Sequence, residues 1–229
     1  MLRKVTGLVA FALVVLMSAS APLSAQGKVE ASFLVGWTFS DGVDVGDQPP
    51  ILSQDGELFD RIDPDDSFKW GFMVGFNATP NVEVGFQYGR QPTTLQASGT
   101  TDREIGDLSV TTYHGYVAYN FLEAESKVRP YALFGMGATN FSSVDFVTSV
   151  TQQPRTIEGE TQFSTTISAG VKFFASPNVG ARFGVQWVPT YIKTDAGGWW
   201  CDPWFGCYVV GNSQYSSQWD LSGGVVFRF

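Results

Sequence analysis

The sequence predicts an all-β chain, an eight-stranded antiparallel up-and-down barrel that crosses a membrane. Three observations carry this. Segments long enough to cross a bilayer as tilted strands, about 10 residues each, alternate apolar and polar residues. The links between them alternate between tight and long. The bulky side of the alternation holds more aromatic volume than a narrow barrel can enclose.

The chain opens with Arg3 and Lys4, runs apolar from Leu8 to Met17 and reaches small residues at Leu23-Ser24-Ala25, with no acid before Glu30. Basic start, short apolar middle and small residues at a cleavage point are the layout of a secretory signal peptide. Residues 1–25 are therefore read as a signal peptide cut after Ala25, and 26–229 as one barrel domain. The apolar run is too short for a membrane helix, which needs about 20 residues. No later segment is apolar for long enough either. Loss of Arg3 and Lys4 moves the net charge from −8 to near −10. A surface of that sign repels nucleic acid, so no DNA or RNA partner is expected.

Eight strands are predicted, at 28–40, 67–78, 81–93, 108–121, 128–141, 161–174, 178–192 and 217–229. Glycine recurs inside them, as at Gly71, Gly85, Gly170 and Gly224, which suits crowded strand interiors better than helices. Tight links fall at Thr79-Pro80-Asn81, at 122–127 and at Ser176-Pro177-Asn178. Proline and asparagine supply the bends. Long links fall at 41–66, 94–107, 142–160 and 193–216. Tight turns on one side and long loops on the other mark a barrel with short periplasmic turns and long extracellular loops. An even strand count puts both termini on the short-turn side.

One face of the clearest strands is bulky: Ala31, Phe33, Val35, Trp37 and Phe39 in the first, Phe68, Trp70, Phe72, Val74 and Phe76 in the second. The third gives Val84, Phe86 and Tyr88, the seventh Phe183, Val185 and Trp187, the eighth Trp219, Leu221, Val225, Phe227 and Phe229. About half of the bulky positions in strands one to three and six to eight are aromatic. The alternate face of those six strands reads as small, polar or charged, without aromatics. It carries Lys69, Glu83, Lys172, Arg182, Asp220 and Arg228. Inside an eight-stranded barrel the bulky set overfills the space, whereas facing lipid it meets no volume limit. The small and charged face then fills the lumen, where those six charges are expected to pair and plug it. In the fourth strand Tyr113, Val117, Tyr119 and Phe121 face outward, with His114 and Tyr116 inside. In the fifth, Phe134 and Met136 face outward, with Arg129, Gly135 and Gly137 inside. Trp37, Phe39, Phe68, Trp70, Tyr88, Trp187, Tyr191 and Trp219 form an aromatic belt toward the long loops. Phe76, Tyr119, Phe121, Phe173, Phe227 and Phe229 form the opposite belt.

The ending Gly223-Gly224-Val225-Val226-Phe227-Arg228-Phe229 resembles the C-terminal signature of bacterial outer-membrane proteins. With the signal peptide and strand count, the chain is similar to the small opacity-porin-like and OmpA-type barrels. The resemblance implies residence in the Gram-negative outer membrane, contact with its lipid, and recognition of Phe227 and Phe229 by the barrel-assembly machinery. No peptidoglycan-binding domain follows the barrel, so a wall-anchoring role is not implied.

Cys201 and Cys207 are the two cysteines. In an exported protein they are expected to form a disulfide at the tip of the fourth long loop. Two thiols and one distant histidine do not make a metal site, and no cofactor is expected. Trp199, Trp200, Trp204, Phe205 and Tyr208 flank the bridge. They form either a contact patch for an extracellular partner or rings folded onto the barrel mouth. The first long loop carries Asp41, Asp44, Asp47, Asp55, Glu57, Asp60, Asp63, Asp65 and Asp66. The two readings are a divalent-cation site around Asp63-Pro64-Asp65-Asp66 and a solvated acidic loop. The sole histidine, His114, sits in no recognisable catalytic motif. The functional expectation is a non-enzymatic barrel that acts at the surface through its loops. The alternatives are a narrow porin-like channel and a lipid-modifying enzyme.

Overall fold

The structure, a computed structural model, describes residues 29–44, 51–52, 58–99, 102–123, 125–147, 154–192, 200–202, 206–208 and 214–229. The predicted signal peptide and its cleavage point lie outside the described residues. Eight long strands run β1 (Val29–Asp41), β2 (Ser67–Asn77), β3 (Val82–Gly99), β4 (Arg103–Asn120), β5 (Val128–Phe141), β6 (Glu160–Phe174), β7 (Val179–Ile192) and β8 (Gln214–Arg228). Each pairs antiparallel with the next. Strand β8 then pairs with β1 from Glu30↔Arg228 to Asp41↔Ser217, which closes the barrel and leaves no sheet edge along its wall.

Two tight turns share one local solution. Thr79 and Ser176 each donate a backbone N–H to the carbonyl three residues on, at Val82 and Val179. Their hydroxyls accept the Val82 and Val179 N–H groups at 2.9 and 3.1 Å. Asn81 and Asn178 then donate side-chain amides to the carbonyls of Asn120 and Arg228, tying each turn to the end of a neighbouring strand. Serine, threonine and asparagine are favoured here because their side chains replace missing ladder bonds.

Side chains alternate across the wall as the sequence indicates. Phe33, Trp37, Phe72, Phe86, Tyr113, Val117, Phe134, Met136, Phe183, Trp219 and Leu221 are all exposed. His114, Tyr116 and Arg129 are buried inside, so the assigned facing of the fourth and fifth strands holds. Each large apolar side chain left in water costs on the order of 1–2 kcal/mol, so this wall requires hydrocarbon as solvent.

Beyond the wall, the structure differs from the sequence-based reading. The link expected at 94–107 is not a loop: β3 and β4 continue as a paired hairpin of 18 residues per strand. At about 3.3 Å per residue and about 40° of tilt, such a strand rises roughly 45 Å, past the ~25 Å apolar band. The first long link also enters the sheet. Its segment Leu58–Pro64 pairs with the distal part of β3, and Val43–Asp44 and Ile51–Leu52 pair with that segment. The third and fourth links carry small hairpins, Val144–Val147 with Pro154–Ile157, and Trp200–Asp202 with Gly206–Tyr208.

Candidate functional site: the filled lumen

The small residues on the inner wall make room for large charged ones. A Cβ on Gly85 would lie 2.7 Å from the Tyr116 ring, and one on Gly184 would lie 2.6 Å from the Tyr131 hydroxyl. Glycine at these positions lets two tyrosines lie flat across the lumen. Around them the six charges predicted for the lumen, Lys69, Glu83, Lys172, Arg182, Asp220 and Arg228, all point inward.

The periplasmic half is a charge network centred on Glu30. Its Oε1 accepts from Arg129 Nη1 at 3.1 Å and from Arg228 Nη2 at 3.0 Å, and its Oε2 accepts from Lys172 at 2.5 Å. Lys172 also donates to Glu83 at 2.5 Å, and Glu83 accepts the Tyr116 hydroxyl at 2.6 Å. Arg182 donates Nε to the Tyr131 hydroxyl at 3.1 Å and lies 4.3 Å above the centre of that ring. Arg228 lies 3.8 Å above the ring of Phe174. These stacked contacts supplement Glu30 for Arg228 and, with the Tyr131 hydroxyl, hold Arg182 without a carboxylate hydrogen bond among the described residues. Each ion in this network costs several kcal/mol to desolvate, and only mutual pairing offsets that.

Two residues of this network were not among the predicted lumen charges. Glu30 has the same inward parity as Ser32, Gly36 and Thr38, so the strand alternation already placed it inside. Arg129 was placed inward, but its pairing with Glu30 spans β5 to β1 and leaves no local trace. Contrary to the sequence pattern, the inner face of these strands is not free of aromatics. Phe174 is buried there, because at the end of β6 it fills space beneath a cation that no small residue could cover.

The middle of the lumen is polar. Lys69 pairs with Asp220 at 2.5 Å, and Asp220 also accepts the Thr38 hydroxyl. Gln87 donates to Gln186 and Gln186 to Thr166. His114 Nε2 lies 2.8 Å from Ser164 Oγ, which accepts from Thr139. His114, Ser164 and Thr139 are fully or almost fully buried among the lumen side chains.

Above the polar layer lies a feature the sequence reading missed. Ile62, Leu95, Leu108, Val110, Phe141, Val144 and Ile192 form a buried apolar cluster inside the extracellular mouth. Ile62 comes from the strand Leu58–Pro64, and Leu95 from the stretch read as a loop. The signal is one buried-type residue in each of two links, Ile62 in 41–66 and Leu95 in 94–107, which strand pairing beyond the membrane brings together.

The other expected sites fall as follows. In the acidic first link, Asp63 accepts the Ser98 hydroxyl at 2.9 Å and Asp66 accepts the Ser40 backbone N–H at 2.8 Å. The Asp65 carbonyl accepts from Gln91 and Thr93. These bonds tie the end of the link to the strands, while the Asp65 and Asp66 side chains stay exposed. Among the described residues no group of three or more side chains could hold a metal ion. Backbone register places Cys201 directly opposite Cys207, and Trp200 opposite Tyr208. Trp199, Trp204 and Phe205 lie outside the described residues. Phe227 and Phe229 are exposed on the lipid face, and the Phe229 N–H donates to the Val29 carbonyl at 2.9 Å.

A closed antiparallel barrel with an apolar outer wall, aromatic belts and a charge-packed interior defines an integral membrane barrel. The chain belongs to the outer membrane protein beta-barrel domain family, whose model matches residues 9–229. It is a protein of the bacterial outer membrane. No curated protein sequence matches it at a significant level. Among solved structures it is similar to the outer membrane protein OprG of Pseudomonas aeruginosa, with a TM-score of 0.60 and 13% identity over 91% of this chain and 99% of that one. Neisserial surface protein A is similar with a TM-score of 0.52 and 15% identity, over 89% of this chain and 98% of that one. The outer membrane protein AlkL gives 0.52 and 14%, over 92% and 93%. At these identities the likeness concerns the fold.

Proposed function

We propose that the protein is a non-enzymatic outer-membrane barrel that works through its extracellular segments, while the barrel serves as a stable, non-conducting anchor. The observation that carries this is the lumen. Buried ion pairs fill its periplasmic half, hydrogen-bonded amides and hydroxyls fill its middle, and an apolar cluster fills its outer mouth. An eight-stranded barrel has an interior only wide enough for its own side chains, and open channels need about 16 strands. The occluded His114–Ser164 pair supports the absence of lipid-modifying chemistry. In this reading, contact with a surface partner falls to the fourth link, through Trp199, Trp200, Trp204, Phe205 and Tyr208 around Cys201 and Cys207.

The test has two arms. Purified protein inserted into planar bilayers is expected to give no resolvable single-channel current. Steady conductance would establish the narrow-channel alternative. His114→Ala in the native membrane is expected to leave the lipid profile unchanged, and a lost lipid modification would establish the enzyme alternative.

A further inference from the structure

Arg182 on β7 is the lumen cation left without a carboxylate among the described residues. Asp220 is taken by Lys69, Glu83 by Lys172, and Glu30 by Arg129, Lys172 and Arg228. None of these pairs reaches Arg182. A guanidinium stays protonated in proteins, so it cannot escape burial by giving up its charge. Arg182 is 1% exposed, inside a barrel whose outer wall faces hydrocarbon.

Its hydrogen bonding is one-sided. Nε donates to the Tyr131 hydroxyl oxygen at 3.1 Å, and the Tyr131 ring covers one face of the guanidinium at 4.3 Å. Nη1 and Nη2 are buried and have no hydrogen-bond partner among the described residues. The Tyr131 hydroxyl accepts from Arg182, while its own proton meets no acceptor among the described residues. The unserved groups at this point are therefore donors. A water molecule would satisfy an N–H and leave the charge uncompensated. A monovalent anion satisfies the parallel N–H pair and the charge together.

The lumen is not fully packed on the extracellular side of Arg182. A cavity of about 30 Å³ occupies the next two inward levels of β7 and β8, at Ser222 and at Gln186 with Asp220. It gives the free end of the guanidinium room to turn toward an ion. Space for about two water molecules admits a monatomic ion and excludes a sugar or a phosphate ester. Gln87 Oε1, across that cavity on β3, is an unpartnered acceptor and suits a water rather than the ion.

We infer that the lumen holds one monovalent anion of chloride size, bound by Nη1 and Nη2 of Arg182 and by the Tyr131 hydroxyl. The ion is enclosed as the strands close around it, so it needs no conducting path. This interior site is separate from the surface contact proposed above.

The test uses the full barrel refolded into detergent, with bromide as the probe because its anomalous X-ray scattering separates it from water. Crystals of protein refolded in sodium bromide are expected to show an anomalous peak in the lumen beside Arg182 Nη1 and Nη2. Water density alone at that point, or bromide bound only on exposed surfaces, would overturn the assignment. Stability gives an independent reading. With ionic strength held constant by gluconate, the folded-to-unfolded ratio in urea is expected to rise with chloride. Above the dissociation constant, one-site linkage implies a rise of about tenfold for each tenfold increase in chloride. Arg182→Met removes the donors at similar side-chain length and is expected to abolish that dependence. Should this variant fail to fold, the bromide peak in the wild type decides the matter alone. A wild type insensitive to chloride, or a folded variant that keeps the full dependence, would each refute the site.

Discussion

Glu30 is the residue on which the interior charge balance turns. It accepts from Arg129, Lys172 and Arg228 at once, so its removal takes a carboxylate partner from three buried cations, of which Lys172 keeps Glu83. Glu30→Ala is expected to destabilise the barrel by about 3–5 kcal/mol, read as a lower urea midpoint for unfolding from detergent micelles or vesicles. A variant as stable as the wild type would show that the network is not what holds the lumen. Gly184 gives a gentler probe. A methyl group there pushes on the Tyr131 hydroxyl and so on its bond to Arg182. Gly184→Ala should cost about 1–3 kcal/mol by the same measurement. That glycine would line a crowded interior was visible in the sequence. Which tyrosine it would accommodate was not, since Tyr131 and Gly184 belong to strands separated by β6.

At the scale of elements, the membrane-crossing parts were legible and the protruding parts were not. Inside the bilayer, lipid on one side and lumen on the other force a two-residue alternation, and that alternation can be read directly. Past the bilayer, both faces of β3 and β4 meet water or other protein segments, so the pattern breaks. Pro92 interrupts the run at Gln91–Thr94, between the last β2 partner at Arg90 and the first Leu58–Pro64 partner at Leu95. A residue without an N–H is tolerated in that gap, where the Asp65 backbone bridges instead. A bulge between Leu95 and Gln96 shifts the parity again. Ile62 pins the strand Leu58–Pro64 to the apolar cluster in the mouth. Ile62→Asp is expected to release that strand, so that limited proteolysis cuts the first link faster while heat-modifiable migration stays intact. In the fourth link, directly opposed residues lie about 4.5–5.5 Å apart at Cα, within disulfide reach. Thiol-alkylating reagent is therefore expected to label Cys201 and Cys207 only after reduction, as read by intact mass.

For the molecule as a whole, the outer surface and the interior answer to different solvents. The exposed set is apolar and the buried set is rich in charge, the reverse of a water-soluble domain. The sequence therefore disclosed architecture and membrane residence, while the proposed surface contact rests on loops whose composition is aromatic and acidic rather than motif-bearing. The closure of β8 onto β1, sealed where the Phe229 N–H meets the Val29 carbonyl, has a temporal consequence. No shorter stretch of the polypeptide can satisfy its own margins, because the earliest strand waits for the latest. Assembly is thus committed at the end of delivery. Any intermediate must be shielded by something outside the chain until the ring is complete.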